Sequence, residues 1–304
     1  MRYTTEDIAV VIPAYNCAGF IQDTLESLFR QRELPGEVIV VNDGSTDNTD
    51  EVIRGSRYFP LIRYCQVENG GPAAARNHGV AQTARPWVAF LDADDNWVHW
   101  HKLEMQIELA NLHPQAVLID TFAEVHWGED RVLTIDRHKD GWVFEQFLTR
   151  NVINATSSVL ASTEAIRKVG GFDEDIRFGE DRLLWASLAC RGQVHTVPQV
   201  TVRKVNHEGN LTACSDRNYQ YRIQCVERLI RMAKVKGRQV DHIWYENLEE
   251  FFRDALRANN VPQYRNLFEK ARKLSGGRVY WSRHALINAY GSLVGNFNLL
   301  NQLR

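Results

Sequence analysis

The sequence predicts an α/β protein: a mostly parallel sheet flanked by helices, followed by a helical C-terminal extension. Three observations lead there. Apolar strand-like runs alternate with helix-periodic segments through the first 115 residues, as in βαβ units whose parallel strands are covered on both faces. Short polar clusters directly follow three of those runs. From about residue 218 the pattern is helical, with no turn-rich linker before it.

Residues 8–12 (IAVVI) are short and uniformly apolar, as a strand buried on both faces should be. Over 20–31, Phe20, Ile21, Leu25, Leu28 and Phe29 fall at helical spacing. A second apolar strand, 37–41, runs into NDGSTD and a helix near 48–54. Asp47, Asp50 and Glu51 lie around that helix's first turn, where the macrodipole favours anions. Residues 62–66 form a third strand. Gly71 and Pro72 then open a helix, with proline at its first position, leading into AAARNHGVAQ. Residues 87–91 are the fourth strand, and 102–112 a helix stopped near Pro114.

The middle region, about 116–205, mixes short strands with helices over 163–169, ended by Gly170 and Gly171, and 180–190, ended by Gly192. Farther on, 223–233 and 244–256 are amphipathic, and 281–303 mixes Ala, Leu, Ile and Tyr with Asn, Ser and Gly. Lys and Arg total 36 against 38 Asp and Glu, so no bulk charge draws the chain to nucleic acid. Cys17, Cys65, Cys190, Cys214 and Cys225 are scattered without a CxxC pair, which fits reduced thiols in a cytoplasmic setting. The sequence predicts no signal peptide before the first strand, and no apolar run reaches transmembrane length.

The most informative stretch is WVAFLDADDNW at 87–97, an apolar run ending in Asp92, Asp94 and Asp95. In an extended chain, alternation sends Asp92 and Asp94 to one side and Asp95 to the other. Converging carboxylates repel, and burying them without a partner is costly. A divalent cation relieves that conflict by taking one or two carboxylates together with phosphate oxygens. Standing alone, the triplet reads more readily as a solvated acidic turn. It shares one rim of the expected sheet with 13–16 and 42–47, beyond the carboxyl ends of the strands, where ligands bind in open α/β sheets.

Five motifs occur in order: VIPAYN at 11–16, VNDGSTD at 41–47, NGGPAAARN at 69–77, FLDADD at 90–95 and GED at 179–181. Together they resemble the family 2 glycosyltransferases over roughly the first two-thirds of the chain. The resemblance implies a GT-A type fold, with a Rossmann-like nucleotide-binding half at 1–115 and an acceptor and catalytic-base half at 116–215. The helical extension would occupy 216–304. It also implies inverting transfer of a sugar from a UDP-linked donor to a hydroxyl of a glycan or lipid-linked acceptor in cell-surface polysaccharide synthesis. The implied cofactor is Mn²⁺ or Mg²⁺.

Carried over to this chain, Pro13, Ala14, Tyr15 and Asn16 lie under the base, and Asp43 accepts the imino hydrogen bond of a pyrimidine. Gly71 and Arg76 stand beside base and phosphates. Asp92, with Ala93, binds the ribose, while Asp94 coordinates the metal. In VRKVNHEGNLT at 202–212, His207 is a third metal ligand or a donor to phosphate, and Arg203 and Lys204 offer positive charge to the diphosphate. Asp181 is the candidate base, in a first helical turn where the dipole helps keep it ionised. Asn154, Ser157, Ser158 and Glu180 lie where the family shapes the acceptor side.

Plainer readings stand beside these. Asp43 before Gly44 is a turn signal, Tyr15 can be core, Arg76 can form a structural ion pair, and a lone His207 can be structural. Glu180 and Asp181 can simply complement a helix dipole. Trp97, Trp100 and Trp127 either stack on sugar or, more commonly, pack. A sugar-nucleotide nucleotidyltransferase would carry a glycine-rich basic loop where this chain has PAYNCAGF. A non-catalytic nucleotide-sugar-binding subunit would not need the Asp92, Asp94 and Asp181 set. The helical tail has three open readings: a cover on the acceptor side, a homodimer contact, or a peripheral contact with the inner face of a membrane.

Overall fold

The computed structural model describes residues 2–128, 131–205, 216–240, 242–243 and 246–247. His207, Cys214, segment 281–303 and most of 244–256 lie outside the described residues, as do the readings attached to them. The strands are β1 (Ile8–Ala14), β2 (Glu37–Asp43), β3 (Arg63–Val67), β4 (Trp87–Phe90), β5 (Asp95–Trp97), β6 (Ala116–Trp127), β7 (Arg131–Ile135), β8 (Asp140–Gly141), β9 (Leu160–Ser162) and β10 (Gln193–Val205). The helices are α1 (Ile21–Phe29), α2 (Thr49–Arg54), α3 (Pro72–Gln82), α4 (Lys102–Leu112), α5 (Phe144–Thr149), α6 (Thr163–Val169), α7 (Glu180–Ala189) and α8 (Asp216–Val235).

The ten strands of the described residues join one sheet, in the order β3-β2-β1-β4-β9-β6-β10-β5, with β7 on β6 and β8 on β10. β1 lies parallel between β2 and β4, Val11 opposite both Ile39 and Phe90. Parallel strands end at one rim, and that places 13–16, 42–47 and 91–95 together. The parallel character is concentrated in this half. β9 runs antiparallel to both β4 and β6, β5 runs antiparallel to β10, and only the β6–β10 pair is again parallel. The sheet is therefore mixed, and β6 and β10, expected as short strands, are its longest at 12 and 13 residues. Their inner residues are buried while the outer part of β6 is only half-buried, so neither shows one clean period along its length.

Alternation along β1 sends Ala9 and Val11 to one face and Ile8, Val10 and Ile12 to the other. The first face carries α3 and α5 to α8; the second carries α1, α2 and α4. The alanine-rich start of α3 and Gly79 let that helix lie close on the sheet, since a Cβ at Gly79 would run into the Val11 side chain. α8 contributes Val226, Leu229 and Ala233, all fully buried, to the same core as α7. The first helix beyond residue 215 is thus built into the α/β body.

A buried polar cluster ties the second half together. Lys139 and Asp120 pair at 2.6 Å with both side chains fully buried. Thr196 Oγ1 donates to Asp120 at 2.7 Å, and Lys139 Nζ also donates to the Val152 carbonyl at 3.0 Å. Burial raises the Asp120 carboxyl and lowers the Lys139 amine, each opposed by the partner's charge. Lys139→Met should cost about 3–5 kcal/mol, because it leaves a buried charge uncompensated. Adding Asp120→Asn should recover most of that loss, as read by urea denaturation of the two variants.

Candidate active site

Asp43 closes β2 and is 3% exposed. Its two oxygens accept from the Gly70 and Gly71 amides, each at 2.8 Å. Gly71, at φ +89, supplies its amide from a backbone conformation that L side chains rarely adopt, and caps α3. Burial raises the Asp43 carboxyl; the two amides and the charge of Arg177 oppose it. Asp43 therefore already organises the loop that launches Arg76. Asn16 takes a left-handed conformation at φ 47 and ties two loops together: it accepts from Thr46 N at 2.8 Å and donates its own amide to Ser45 Oγ at 3.0 Å. Beside it Ala14 is buried, Pro13 half-buried and Tyr15 51% exposed, which removes the core-packing reading for Tyr15.

The acidic segment is a turn, closed by Asp95 N donating to the Asp92 carbonyl at 3.0 Å. The extended alternation expected for Asp92, Asp94 and Asp95 does not hold there, since a turn abandons the two-residue period. Thr24 of α1 supports the turn from below, its hydroxyl within 2.9 Å of the Ala93 carbonyl and 3.0 Å of the Asp95 carbonyl. Asp95 points inward, 1% exposed. It accepts from Ser157 Oγ at 2.5 Å and faces Lys204 of β10 at 3.6 Å. Burial pushes its carboxyl up to about 7, opposed by Lys204 and reinforced by Asp92 and Asp94. The Lys204 ammonium is held well above its ordinary range, first by Asp95 and then by Asp92 and Asp94 against burial. Arg203, the adjacent β10 residue, is exposed. Asp94 is half-buried at the head of the turn.

Arg76 joins the two halves of the site. From the second turn of α3 its Nη2 donates to Asp92 Oδ1 at 2.7 Å, and its Nη1 to Glu180 Oε1 at 3.1 Å. Its guanidinium lies 5.4 Å from the Phe172 ring centroid, and its buried Nε has no hydrogen-bond partner among the described residues. Burial works against the Arg76 charge, and Asp92 and Glu180 more than offset it. Asp92 is likewise held below the usual carboxylate range, Arg76 and then Lys204 outweighing its burial.

Glu180 and Asp181 open α7 after Gly179, and they diverge. Glu180 is buried against Arg76, with its carboxyl pushed up to about 7 by burial and by the Asp181 charge. Asp181 turns the other way: its Oδ2 accepts from Asn151 Nδ2 at 3.0 Å and its Oδ1 from the Arg182 amide at 2.7 Å. The loop before α7 is latched by Asn77, whose amide bonds both Phe172 N and Phe172 O at 2.8 and 2.9 Å. Arg228 of α8 holds Asp173 of the same loop at 3.1 Å.

The acceptor-side expectations divide. Asn154 and Ser158 are buried with their polar atoms bonded internally, Asn154 to Asp120, Thr121 and Arg137 and Ser158 to the Ala155 carbonyl. They build the floor rather than face a ligand. Ser157 instead sets the acid turn, donating to Asp95 and accepting from the Asp92 amide at 3.0 Å. Trp97 is core, its Nε1 bonded to the Ser157 carbonyl at 2.9 Å, whereas Trp100 is exposed. Asn151 and Arg177 were missed by sequence reasoning. No local signal marks them, because each acts on a carboxylate of another segment.

Among the described residues, no three His, Cys, Asp or Glu side chains converge as a cation held by protein alone requires. The all-oxygen donor set of the acid turn nonetheless suits Mg²⁺ or Mn²⁺, which fill their remaining positions with diphosphate and water oxygens.

A sheet of this topology with an acid turn and a carboxylate pair at one rim defines a GT-A type glycosyltransferase fold. Residues 9–175 match the family model for glycosyl transferase family 2, and the chain belongs to that family. An uncharacterized glycosyltransferase of Rickettsia bellii is 31% identical over 212 residues, covering 69% of this chain and 30% of that protein. The succinoglycan biosynthesis protein ExoO of Rhizobium meliloti is 29% identical over 232 residues, 68% of this chain and 62% of ExoO. The chain spans about a third of the length of the first rickettsial relatives. Among solved structures, Staphylococcus aureus TarS 1–349 in complex with UDP-GlcNAc has a TM-score of 0.67 at 19% identity, covering 88% of this chain and 81% of TarS. The Pyrobaculum calidifontis mannosyltransferase PcManGT with GDP-Man and Mn²⁺ has a TM-score of 0.52 at 20% identity, covering 87% and 79%. These likenesses are of fold.

Glu180 offers a test of the site's electrostatics. Its folded pKa of about 7 lies above the ordinary carboxyl range, so its contribution to stability is full below about pH 4.5 and is lost as pH rises through about 7. Glu180→Gln mimics the protonated form. The melting temperature of the variant relative to the parent should therefore rise between pH 5 and pH 8, with the two converging at the acid end.

Proposed function

We propose that this chain is an inverting glycosyltransferase that moves a sugar from a UDP-linked donor to a hydroxyl of a glycan or lipid-linked acceptor in cell-surface polysaccharide synthesis. The observation that carries the reading is the Arg76 bridge, which sets the acid turn and the Glu180–Asp181 pair on either side of one guanidinium. Support for the donor class comes from TarS, solved with UDP-GlcNAc. Support for the setting comes from ExoO and from the putative teichuronic acid biosynthesis glycosyltransferase TuaG of Bacillus subtilis, 37% identical over 105 residues, covering 33% of this chain and 40% of TuaG.

In this mechanism Tyr15, Asn16 and Asp43 line the base, and Asp92 takes the ribose. Asp94 would hold Mg²⁺ or Mn²⁺, which when bound neutralises charge on the departing diphosphate. Arg76 lies beside the same charge, released in part from its two carboxylates as the donor arrives. Asp181 accepts the acceptor hydroxyl's proton while that oxygen attacks the anomeric carbon from the face opposite the leaving group. One C–O bond forms, the C–O bond to the diphosphate breaks, and the configuration inverts. A positioned base contributes about 10²–10⁴-fold.

Asp181→Asn should lower turnover by about that factor while leaving UDP affinity unchanged. The measurement is UDP release from a panel of UDP-sugars, with Mn²⁺ and with EDTA, beside UDP titration calorimetry. Parent-like turnover in Asp181→Asn removes the base assignment, and pyrophosphate release from UTP would point instead to a nucleotidyltransferase.

A further inference from the structure

One short segment reaches both sides of the site. At one end Asn151 Nδ2 donates to Asp181 Oδ2 at 3.0 Å; at the other, Ser157 binds Asp95 and the Asp92 amide. Between them the chain is fixed by cations drawn from elsewhere. Lys139 Nζ donates to the Val152 carbonyl at 3.0 Å, and Arg137 Nη1 to the Asn151 carbonyl at 3.3 Å. Val152 and Ile153 are buried at 2% and 3% exposure, so the segment cannot drift without opening the core.

The orientation of the Asn151 amide is also determined. Its Oδ1 accepts from Ile153 N at 3.1 Å, and an amide flip would face that N–H with a second donor. Nδ2 is therefore held toward Asp181. The other Asp181 oxygen takes the Arg182 amide, so the carboxylate is fixed in plane by two donors and keeps lone pairs for a third group. The charged and titratable groups around this pair are Glu180 and Arg182 on α7, Arg76 on α3, Cys225 on α8 and Arg137 behind the Asn151 backbone.

We infer that Asn151 is the positioning residue for the base: its amide aims the Asp181 carboxylate at the acceptor hydroxyl. This rests on the proposed role of Asp181. Misplacing a reacting group by about 1 Å can cost about 10²-fold.

Two substitutions separate aiming from loop support. Asn151→Asp is isosteric and keeps the acceptor for Ile153 N, but turns the donor facing Asp181 into a second carboxylate. Asn151→Ala removes both contacts. If Asn151 aims the base, both variants lose kcat, by about 10²-fold, with donor KM and UDP affinity unchanged. In Asn151→Asp the acid limb of the kcat–pH profile also moves to higher pH, because a second carboxylate facing the first raises the pair's proton affinity. A folded Asn151→Asp enzyme with parent kcat and parent pH profile overturns the inference and leaves Asn151 as a loop cap. Asp181→Asn, run in parallel, keeps the two questions apart. Parent-like turnover there removes the base reading, whereas an inactive Asp181→Asn beside a parent-like Asn151→Asp removes only the positioning role.

Discussion

A carboxylate can be taken out of water only with a partner, and most of this site follows from how that requirement is met. Asp92 and Glu180 come from opposite halves of the chain, and each is buried against a separate nitrogen of Arg76. The guanidinium suits this because its planar fork presents several donors in fixed directions, which an ammonium does not. Its position depends in turn on Gly71 and Pro72, which start α3 over the end of β2, and on Asp43, which holds the two glycine amides. Removing either support would move Arg76, and with it the register between donor side and base side.

The second counter-ion is Lys204, brought to the acid turn by the antiparallel pairing of β10 with β5, in which it lies opposite Asp95. Among the described residues the turn thus meets Arg76 and Lys204, one from each half of the sheet. Asp95 is the member held deepest, bonded to Ser157 rather than turned outward. That arrangement leaves the upper part of the turn, with Asp92 and Asp94, as the part oriented by its surroundings instead of by strand pleat. Behind it, the Lys139–Asp120 pair, the Asn77 latch and α8 each fix one of the loops that carry Asn151, Ser157 and Asp181.

Much of the donor half was legible in the sequence. Uniformly apolar runs at 8–12, 38–41 and 87–91 mark strands buried on both faces, and short connections through helices force them parallel, so their polar followers share a rim. The acid segment was legible as a charge conflict, but its geometry was not. The pleat argument that turned Asp95 away from Asp92 and Asp94 presumes an extended chain, and a turn hydrogen bond between Asp95 and Asp92 replaces it. In the other half β9, a three-residue strand, wedges antiparallel between β4 and β6, a pairing that no local pattern announces.

The sequence by itself determined the elements of the donor half, the shared rim and the chemical types available there: carboxylates after β4, a carboxylate pair at the start of α7 and an arginine on α3. Periodicity and capping are local, and a single chain displays them directly. The tertiary structure alone decided which charge answers which. Arg76 meets Glu180 across 104 residues, Asn151 meets Asp181 across 30, and Asn154 and Ser158 are drawn into the floor instead of the acceptor side. Such pairings are settled by burial and geometry in the folded core, where an unpaired charge is most costly, and nothing along the chain encodes them one residue at a time.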